Sequence, residues 1–286
     1  MITKFGKRFL TNFIAGNLIF NPKDMALGIA TNLEYPLADT NSRLGFEFHR
    51  VPITTGGINI DASSSPTTYT VIYSATLPTD IAGKINEIGI YSGNSSSVNL
   101  YSSQFLSNFD FQYQWSPTPT TDQDNYRVGD SSLIFTSNNT TAQEYKFDLG
   151  SADISGYSPS DSLSFAYKVN NANLSSLKVR LYSSTLNYIE FTFTGHSVGY
   201  NLKSVNMSSG VTSGTFDPTS VSTIGIVVTP TSAQASVSVD ALRINDEDTF
   251  DPESGLIARS ILDSTMIKVI GREAAIEFKL DLSFGV

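Results

Sequence analysis

The stretch Ala274-Ala-Ile-Glu-Phe-Lys-Leu-Asp-Leu-Ser-Phe284 decides how the rest of the chain is read. Ile276, Phe278, Leu280 and Leu282 alternate with Glu277, Lys279, Asp281 and Ser283, a period of two that gives a β-strand one apolar and one polar face. A lone strand leaves its backbone donors and acceptors unpaired and is not stable, so this one must join a sheet built elsewhere in the chain.

The rest of the chain offers many partners. Residues 25–30, 44–52, 69–77 and 84–91 read as strands; in the third, Tyr69, Val71, Tyr73, Ala75 and Leu77 share one face. Residues 61–66 and 78–83 are turn clusters, and 93–98 and 116–124 are loops or linkers rich in Ser, Asn, Pro, Thr and Asp. A further series follows at 132–136, 144–149, 162–169, 178–182, 188–194, 199–205, 223–229 and 235–244, spaced with turn residues between as in an antiparallel sandwich or jelly roll. One segment is helical: in residues 2–15, Phe5, Phe9 and Phe13 recur every fourth position beside Ile2, Leu10 and Ile14, and Gly16 and Asn17 suit a helix C-terminus. That stripe covers a sheet or docks on a partner, which makes Phe5, Phe9 and Phe13 the assembly candidates.

Composition narrows the function. The chain of 286 residues exceeds the commonest size of one domain, so two domains are expected. With 16% charged and 11% aromatic residues, strands are favoured over helices. A net charge of -9 excludes a phosphate-binding surface, because nucleic-acid affinity rests on Lys and Arg. Cysteine is absent, which removes disulfides and thiolate chemistry. No apolar run is long enough to span a bilayer, and Lys4, Lys7 and Arg8 break the layout of a secretion signal, so no membrane insertion is expected. The N-x-S/T triplets at Asn94, Asn139, Asn173 and Asn206 carry no weight in a chain so rich in these residues.

Three strands carry a resemblance. Met25-Ala-Leu-Gly-Ile-Ala, Leu44-Gly-Phe-Glu-Phe-His-Arg-Val-Pro-Ile and Ile85-Asn-Glu-Ile-Gly-Ile-Tyr resemble a small β-domain of tailed-bacteriophage virion proteins of the tail-fibre or structural kind. In that family an "L-L/I-A-R" strand and a final alternating strand follow after a short turn. Here Leu256-Ile-Ala-Arg-Ser-Ile-Leu and residues 274–284 match those elements, with residues 92–255 intervening. The resemblance therefore implies an all-β chain: a discontinuous small antiparallel β-domain with an N-terminal helix (residues 1–97 and 249–286) that anchors on the virion, and an inserted jelly-roll β-sandwich (98–248). The insert resembles carbohydrate-binding and concanavalin-like modules in Trp115, "YSPSDSLSF", "KVRLYSSTLNYIEFTF" and the closing Ser238-Val-Asp-Ala-Leu-Arg-Ile.

Candidate chemistry is sparse. His49 falls in a predicted strand, where packing or edge exposure is expected, and His196 in a hairpin, where it is expected in solvent. The carboxylates Asp110, Asp130, Glu144, Asp148, Asp161 and Glu190 fall in the sandwich, but hydrolysis of a glycoside needs two acids facing one sugar, which spacing alone does not show. No Walker or G-x-S-x-G motif occurs, so no catalytic residue is assigned. Modules of the resembling kind often hold calcium near the first and last strands, which implies a calcium ion as candidate cofactor with Asp130 and Asp240 as ligands. A sugar would stack on aromatic faces: Trp115, Tyr113, Tyr182, Tyr188 and Tyr200 are the candidates, with Tyr188 at a strand start the best exposed. A lone tryptophan in a sandwich is more often core than platform.

The reading that joins these points is a non-enzymatic virion structural protein, made in the host cytoplasm and assembled on the particle. It would be a capsid decoration or a short neck or tail fibre, contacting other virion proteins as a homotrimer and displaying the sandwich towards a cell-surface glycan. The alternative is a polysaccharide-binding module or polysaccharide-active enzyme; a bacterial surface adhesin ranks below both for want of an export signal.

Overall fold

The structure, a computed structural model, describes residues 1–16, 22–54, 59–65, 68–92, 105–245 and 255–283. The expected domain boundaries at 97/98 and 248/249, the stretch 93–98 and Phe284 lie outside them. The chain divides into two compact units, unit 1 of Met1–Tyr101 with Phe250–Val286 and unit 2 of Ser102–Thr249. Strands dominate both, and every ladder is antiparallel.

Unit 1 opens with α1 (Lys4–Ile14), followed by β1 (Pro22–Gly28), β2 (Glu47–Pro52), β3 (Asn59–Ser65), β4 (Thr68–Leu77) and β5 (Gly83–Ser92). Unit 2 then supplies β6 (Phe105–Ser107), β7 (Trp115–Ser116), β8 (Thr120–Asp122), β9 (Ser132–Thr136), β10 (Gln143–Ala152) and β11 (Ser162–Val169). It continues with β12 (Leu174–Tyr182), β13 (Tyr188–Phe193), β14 (Gly199–Asn206), β15 (Val211–Ser213), β16 (Val221–Pro230) and β17 (Ser236–Asn245). Only after these does the chain return to unit 1 as β18 (Leu256–Lys268) and β19 (Ala274–Ser283).

The return is made by strand pairing. β18 lies beside β5 in the sheet β18-β5-β1-β2, and β19 lies beside β4 in the sheet β19-β4-β3. Ile276, Phe278 and Leu280 bury their side chains in one core with Tyr73, Leu77, Met25, Leu27, Ile85 and Ile90, the partner sheet that an amphipathic strand requires. Asp61, read as part of a turn, instead lies in β3 opposite Thr70; the ladder shifts register between Asp61 and Ser65, an irregularity that lets so polar a segment run along a sheet edge.

The residues quoted for the resemblance meet in the interior of unit 1. Glu87 and Arg259 form an ion pair (Nη2–Oε2 2.7 Å, Nε–Oε2 2.8 Å) with side-chain exposures of 0% and 1%. The Glu87 carboxylate also accepts from the backbone N–H groups of Ala30, Gly45 and Phe46 at 3.3, 3.1 and 3.0 Å. Arg259 spends its remaining donors on Tyr35 O, Pro36 O and Asn41 Oδ1, and its guanidinium lies 4.6 Å from the Tyr35 ring centroid. Gly28 is required here, since a Cβ would stand 2.4 Å from Glu87 Oε1. A buried pair so fully hydrogen-bonded fixes β5 against β18 across the whole length of unit 2's sequence.

The helix is tied to β18. Thr3 caps it by accepting from Gly6 N (2.9 Å) while its own hydroxyl donates to Leu256 O. The Phe5 and Phe9 rings stack 5.9 Å apart and Phe9 is buried. Of the three assembly candidates, Phe9 is thus spent on the chain's own core and Phe5 packs against it half-buried, because one turn of helix lies flat on the sheet; Phe13 remains 46% exposed. Among the described residues no helix is long and apolar enough to cross a membrane.

Unit 2 is a two-sheet antiparallel sandwich of jelly-roll type. One sheet runs β15-β13-β12-β16-β10-β7 and the other β14-β11-β17-β9-β8, with β6 beside β17. The chain passes repeatedly between the two sheets, whose strands contribute alternate residues to a common core that includes Phe109, Trp115, Phe135, Phe165, Phe191 and Ile226. Part of the expected linker at 116–124 is strand, since β8 pairs with β9.

Candidate functional site

Strand alternation builds a polar and aromatic face on the outside of β10, β16, β12 and β13. In β12, Leu177, Val179 and Leu181 are buried in the core, which turns Lys178, Arg180 and Tyr182 outward. The β12–β13 hairpin sets Arg180 opposite Glu190 and Tyr182 opposite Tyr188, while β16 sets Gly225 opposite Arg180 on one side and Lys146 of β10 on the other.

These side chains form one network. Glu190 accepts from Arg180 Nε and from Lys178 Nζ, both at 2.7 Å. Glu144 accepts from Arg180 Nη1 at 3.2 Å and from the Tyr182 hydroxyl at 2.5 Å. Lys146 Nζ lies 4.4 Å from the Tyr182 ring centroid, the Arg180 guanidinium 4.9 Å from that of Tyr188, and the two tyrosine rings are 5.0 Å apart. Burial opposes ionisation of Glu190, but the bonds from Lys178 and Arg180 outweigh it and hold its carboxyl below the usual value. Burial, with the bond to Glu144, pushes the Tyr182 hydroxyl up to about 12, so it stays a donor. Gly225 sits in the middle: a Cβ there would meet Glu144 Oε1 at 2.7 Å and the Tyr182 ring at 2.9 Å. Its missing side chain lets Glu144 and the Tyr182 ring close over the strand and meet.

The structure brings together two of the five aromatic candidates, Tyr182 and Tyr188. Tyr182 is buried as the base of the network and Tyr188 is the half-exposed ring above it. Trp115 is corrected from platform to core: it stacks with Phe109 and Phe147 at 5.2 and 5.3 Å, meets Phe135 edge-on at 5.1 Å and is 3% exposed, so no ring face remains for a ligand. Tyr113 stands 86% exposed on the 3₁₀ turn Gln112–Gln114 with no ring contact among the described residues. Tyr200 lies on β14 of the other sheet, its ring 4.2 Å from the Arg127 guanidinium. The cations Lys146, Lys178 and Arg180 were missed as site residues, although the alternation Lys178-Val-Arg-Leu-Tyr182 followed by a tight hairpin to Tyr188 and Glu190 carries the signal.

The other acids serve the backbone. Asp161 caps its own turn through Ser158 N (2.7 Å), and Asp148 accepts from Gly150 N (2.8 Å). Asp240 is buried and accepts from the N–H groups of Arg127 and Val128 at 2.7 and 3.2 Å. Asp130 is exposed and donates its own N–H to Asp110 Oδ1 at 3.3 Å. The acid electrostatically coupled to Asp240 is Asp110, not Asp130. This arrangement does not fit a calcium ion: the loop turns N–H donors towards the carboxylates where a cation needs oxygens, and among the described residues no three acidic or histidine side chains converge. His49 is half-buried in β2, and burial lowers its pKa. His196 is half-buried rather than in open solvent, because its Nδ1 bonds the buried Tyr167 hydroxyl at 2.6 Å.

Asp110 and Asp240 give a pH dependence of known sign. Burial pushes the Asp110 carboxyl up to about 6 from 3.8 and also raises that of Asp240, against the bonds from the Arg127 and Val128 N–H groups. A carboxyl that is easier to protonate when folded adds stability below its unfolded value and loses it as pH rises through the folded one. Unit 2 should therefore melt higher near pH 5 than near neutrality, Asp110 contributing ~1 kcal/mol after allowance for solvent screening. Calorimetry of wild type and Asp110→Asn checks this, the variant flattening the profile; a wild-type profile that rises towards neutral pH would refute it.

Comparison with known proteins places no family on the chain. No family model matches it, and no curated protein sequence does. Among solved structures, the family 11 carbohydrate-binding module from Clostridium thermocellum, in complex with a β-1,3-1,4-mixed-linked tetrasaccharide, covers 50% of this chain and 94% of its own at 13% identity and a TM-score of 0.40. A carbohydrate-binding module specific for non-crystalline cellulose covers 52% of this chain and 95% of its own at 13% identity and TM-score 0.33. The enzymatically active domain of tailspike protein 4 from bacteriophage CBA120 covers 50% of this chain and 21% of its own at 11% identity and TM-score 0.29.

Proposed function

We propose that the protein is a non-enzymatic, glycan-binding display protein of a tailed-phage particle. Unit 2 takes the sugar on the outer face of β10, β16, β12 and β13. The observation that carries this reading is the Tyr182–Tyr188 pair set among Glu144, Arg180, Glu190 and Lys178 around Gly225. A pyranose offers an apolar C–H face and a rim of hydroxyls that both donate and accept. The half-exposed Tyr188 ring suits the first, and carboxylates alternating with cations suit the second.

Binding rather than hydrolysis is supported by the acids themselves. A glycosidase sets one protonated and one ionised carboxyl against the same sugar. On this face Glu190 is held ionised by two cations, while Asp240, whose carboxyl is pushed up by burial, lies on β17 of the other sheet. A reducing-sugar assay on any bound polysaccharide is expected to show no release, and turnover would favour the polysaccharide-active alternative.

A glycan array on the full chain tests the site, followed by titration of the best binder. Tyr188→Ala is expected to weaken binding about tenfold, or ~1.4 kcal/mol, with unit 2 still folded and its melting temperature lowered by only a few degrees. An array without binders, or an unchanged affinity in the variant, would overturn the assignment.

The virion reading is favoured by a separate observation: the residues that carry the phage resemblance, Gly28, Glu87 and Arg259, lie together in one buried set that unites the two segments of unit 1. In this reading unit 1 docks on capsid, neck or tail proteins. Imaging particles with and without the protein tests it, and loss of no surface feature would count against it.

A further inference from the structure

β19 is a long sheet edge, neither bulged nor interrupted by proline. It pairs with β4 in unbroken register from Ala274↔Leu77 to Ser283↔Thr68, and among the described residues no strand pairs with its other side. Edge strands are ordinarily blunted by short length, proline, bulges or repelling charge. β19 has ten residues, no proline and no bulge, and its exposed side chains alternate in sign along one face as Glu277, Lys279 and Asp281. Asp281 accepts from Thr70 Oγ1 at 2.6 Å, whereas neither Glu277 nor Lys279 has a hydrogen bond or ion-pair partner among the described residues.

We propose that this edge pairs antiparallel with the β19 edge of a second copy of the chain, about a two-fold axis at Phe278. Opposed residues in such a ladder share a face. With the axis at Phe278, Glu277 stands opposite the partner's Lys279 and Lys279 opposite the partner's Glu277, two attractive pairs generated by symmetry. Ile276 meets the partner's Leu280 on the apolar face, and the overlap spans residues 274–282. A slip that moves the axis to Lys279 sets that residue against itself and Glu277 against Asp281, so like charges reject it. Moving the axis to Leu280 also makes two attractive pairs, Lys279 with the partner's Asp281, but it shortens the overlap to 277–283, leaves Glu277 opposite Ser283 and draws on an Asp281 already engaged by Thr70. Charge rejects the Lys279-centred slip and overlap length disfavours the Leu280-centred one, and the isologous contact joins the two β19-β4-β3 sheets into one.

Sedimentation of the full chain across a concentration series tests the pairing. Wild type is expected to show a monomer–dimer equilibrium. Lys279→Glu, at an exposed position, is expected to keep its circular dichroism spectrum but dimerise about tenfold more weakly, since both cross-strand pairs become repulsive. The reversal Glu277→Lys with Lys279→Glu restores opposite signs in the same register and is expected to recover the dimer, which loss of packing alone would not do. A monomer at every concentration, a trimer, a dimer indifferent to Lys279→Glu, or a reversal that fails to recover association would each overturn the proposal.

Discussion

Arg259→Met should unfold unit 1 and leave unit 2 folded. The substitution keeps much of the side-chain volume but strands the Glu87 carboxylate in the interior at 0% exposure. It also removes the donors to Tyr35 O, Pro36 O and Asn41. Breaking one partner of a buried pair costs about 3–5 kcal/mol, a large share of the ~5–15 kcal/mol by which a domain is stable. The two units can be followed separately because the chain has one tryptophan, Trp115, and it lies in the core of unit 2. Urea titration watched by circular dichroism is expected to lose an early transition, while tryptophan fluorescence keeps its wild-type midpoint. A fluorescence midpoint that falls with the variant would show instead that unit 2 depends on unit 1.

Trp115→Ala should act on stability, not on affinity. The ring is enclosed by Phe109, Phe135 and Phe147, and emptying that space costs about 3–5 kcal/mol by lost burial and cavity formation. Circular dichroism is expected to show unit 2 melting far earlier, with Trp115→Phe in between. The fraction that remains folded is expected to bind glycan as wild type does, since the face of Tyr188 lies on the outer side of the sheet. An intact melting profile with lost binding would return Trp115 to the role of platform.

How far the sequence is legible depends on whether one physical rule settles a position. Alternation settles β9, β11 and β19, whose apolar residues have only one face to occupy, and it places β19 in a sheet before any partner is known. The Phe5, Phe9, Phe13 stripe similarly settles α1 but not what it covers, because packing on the chain's own β18 and docking on another protein demand the same pattern. Trp115 shows a different limit: composition does not say whether a ring faces in or out, and only its neighbours across two sheets decide. Asp130 shows a third, since the acid that approaches Asp240 is chosen by how a loop folds back over the sheet. The network around Arg180 was half legible. Glu144, Glu190, Tyr182 and Tyr188 are visible as types, but their meeting depends on registers between β10, β16 and β12 that are far apart in the chain.

The order of strands along the chain carries a consequence for biogenesis. When the ribosome has released β17, unit 2 has every strand it needs, whereas β4 and β5 still lack β19 and β18. Until those last strands emerge, β4 and β5 hold two raw edges and the Glu87 carboxylate lacks its arginine. Unit 2 can therefore mature first and unit 1 last, so only a polypeptide translated past its inserted unit can complete the sheets in which β18 and β19 are edge strands.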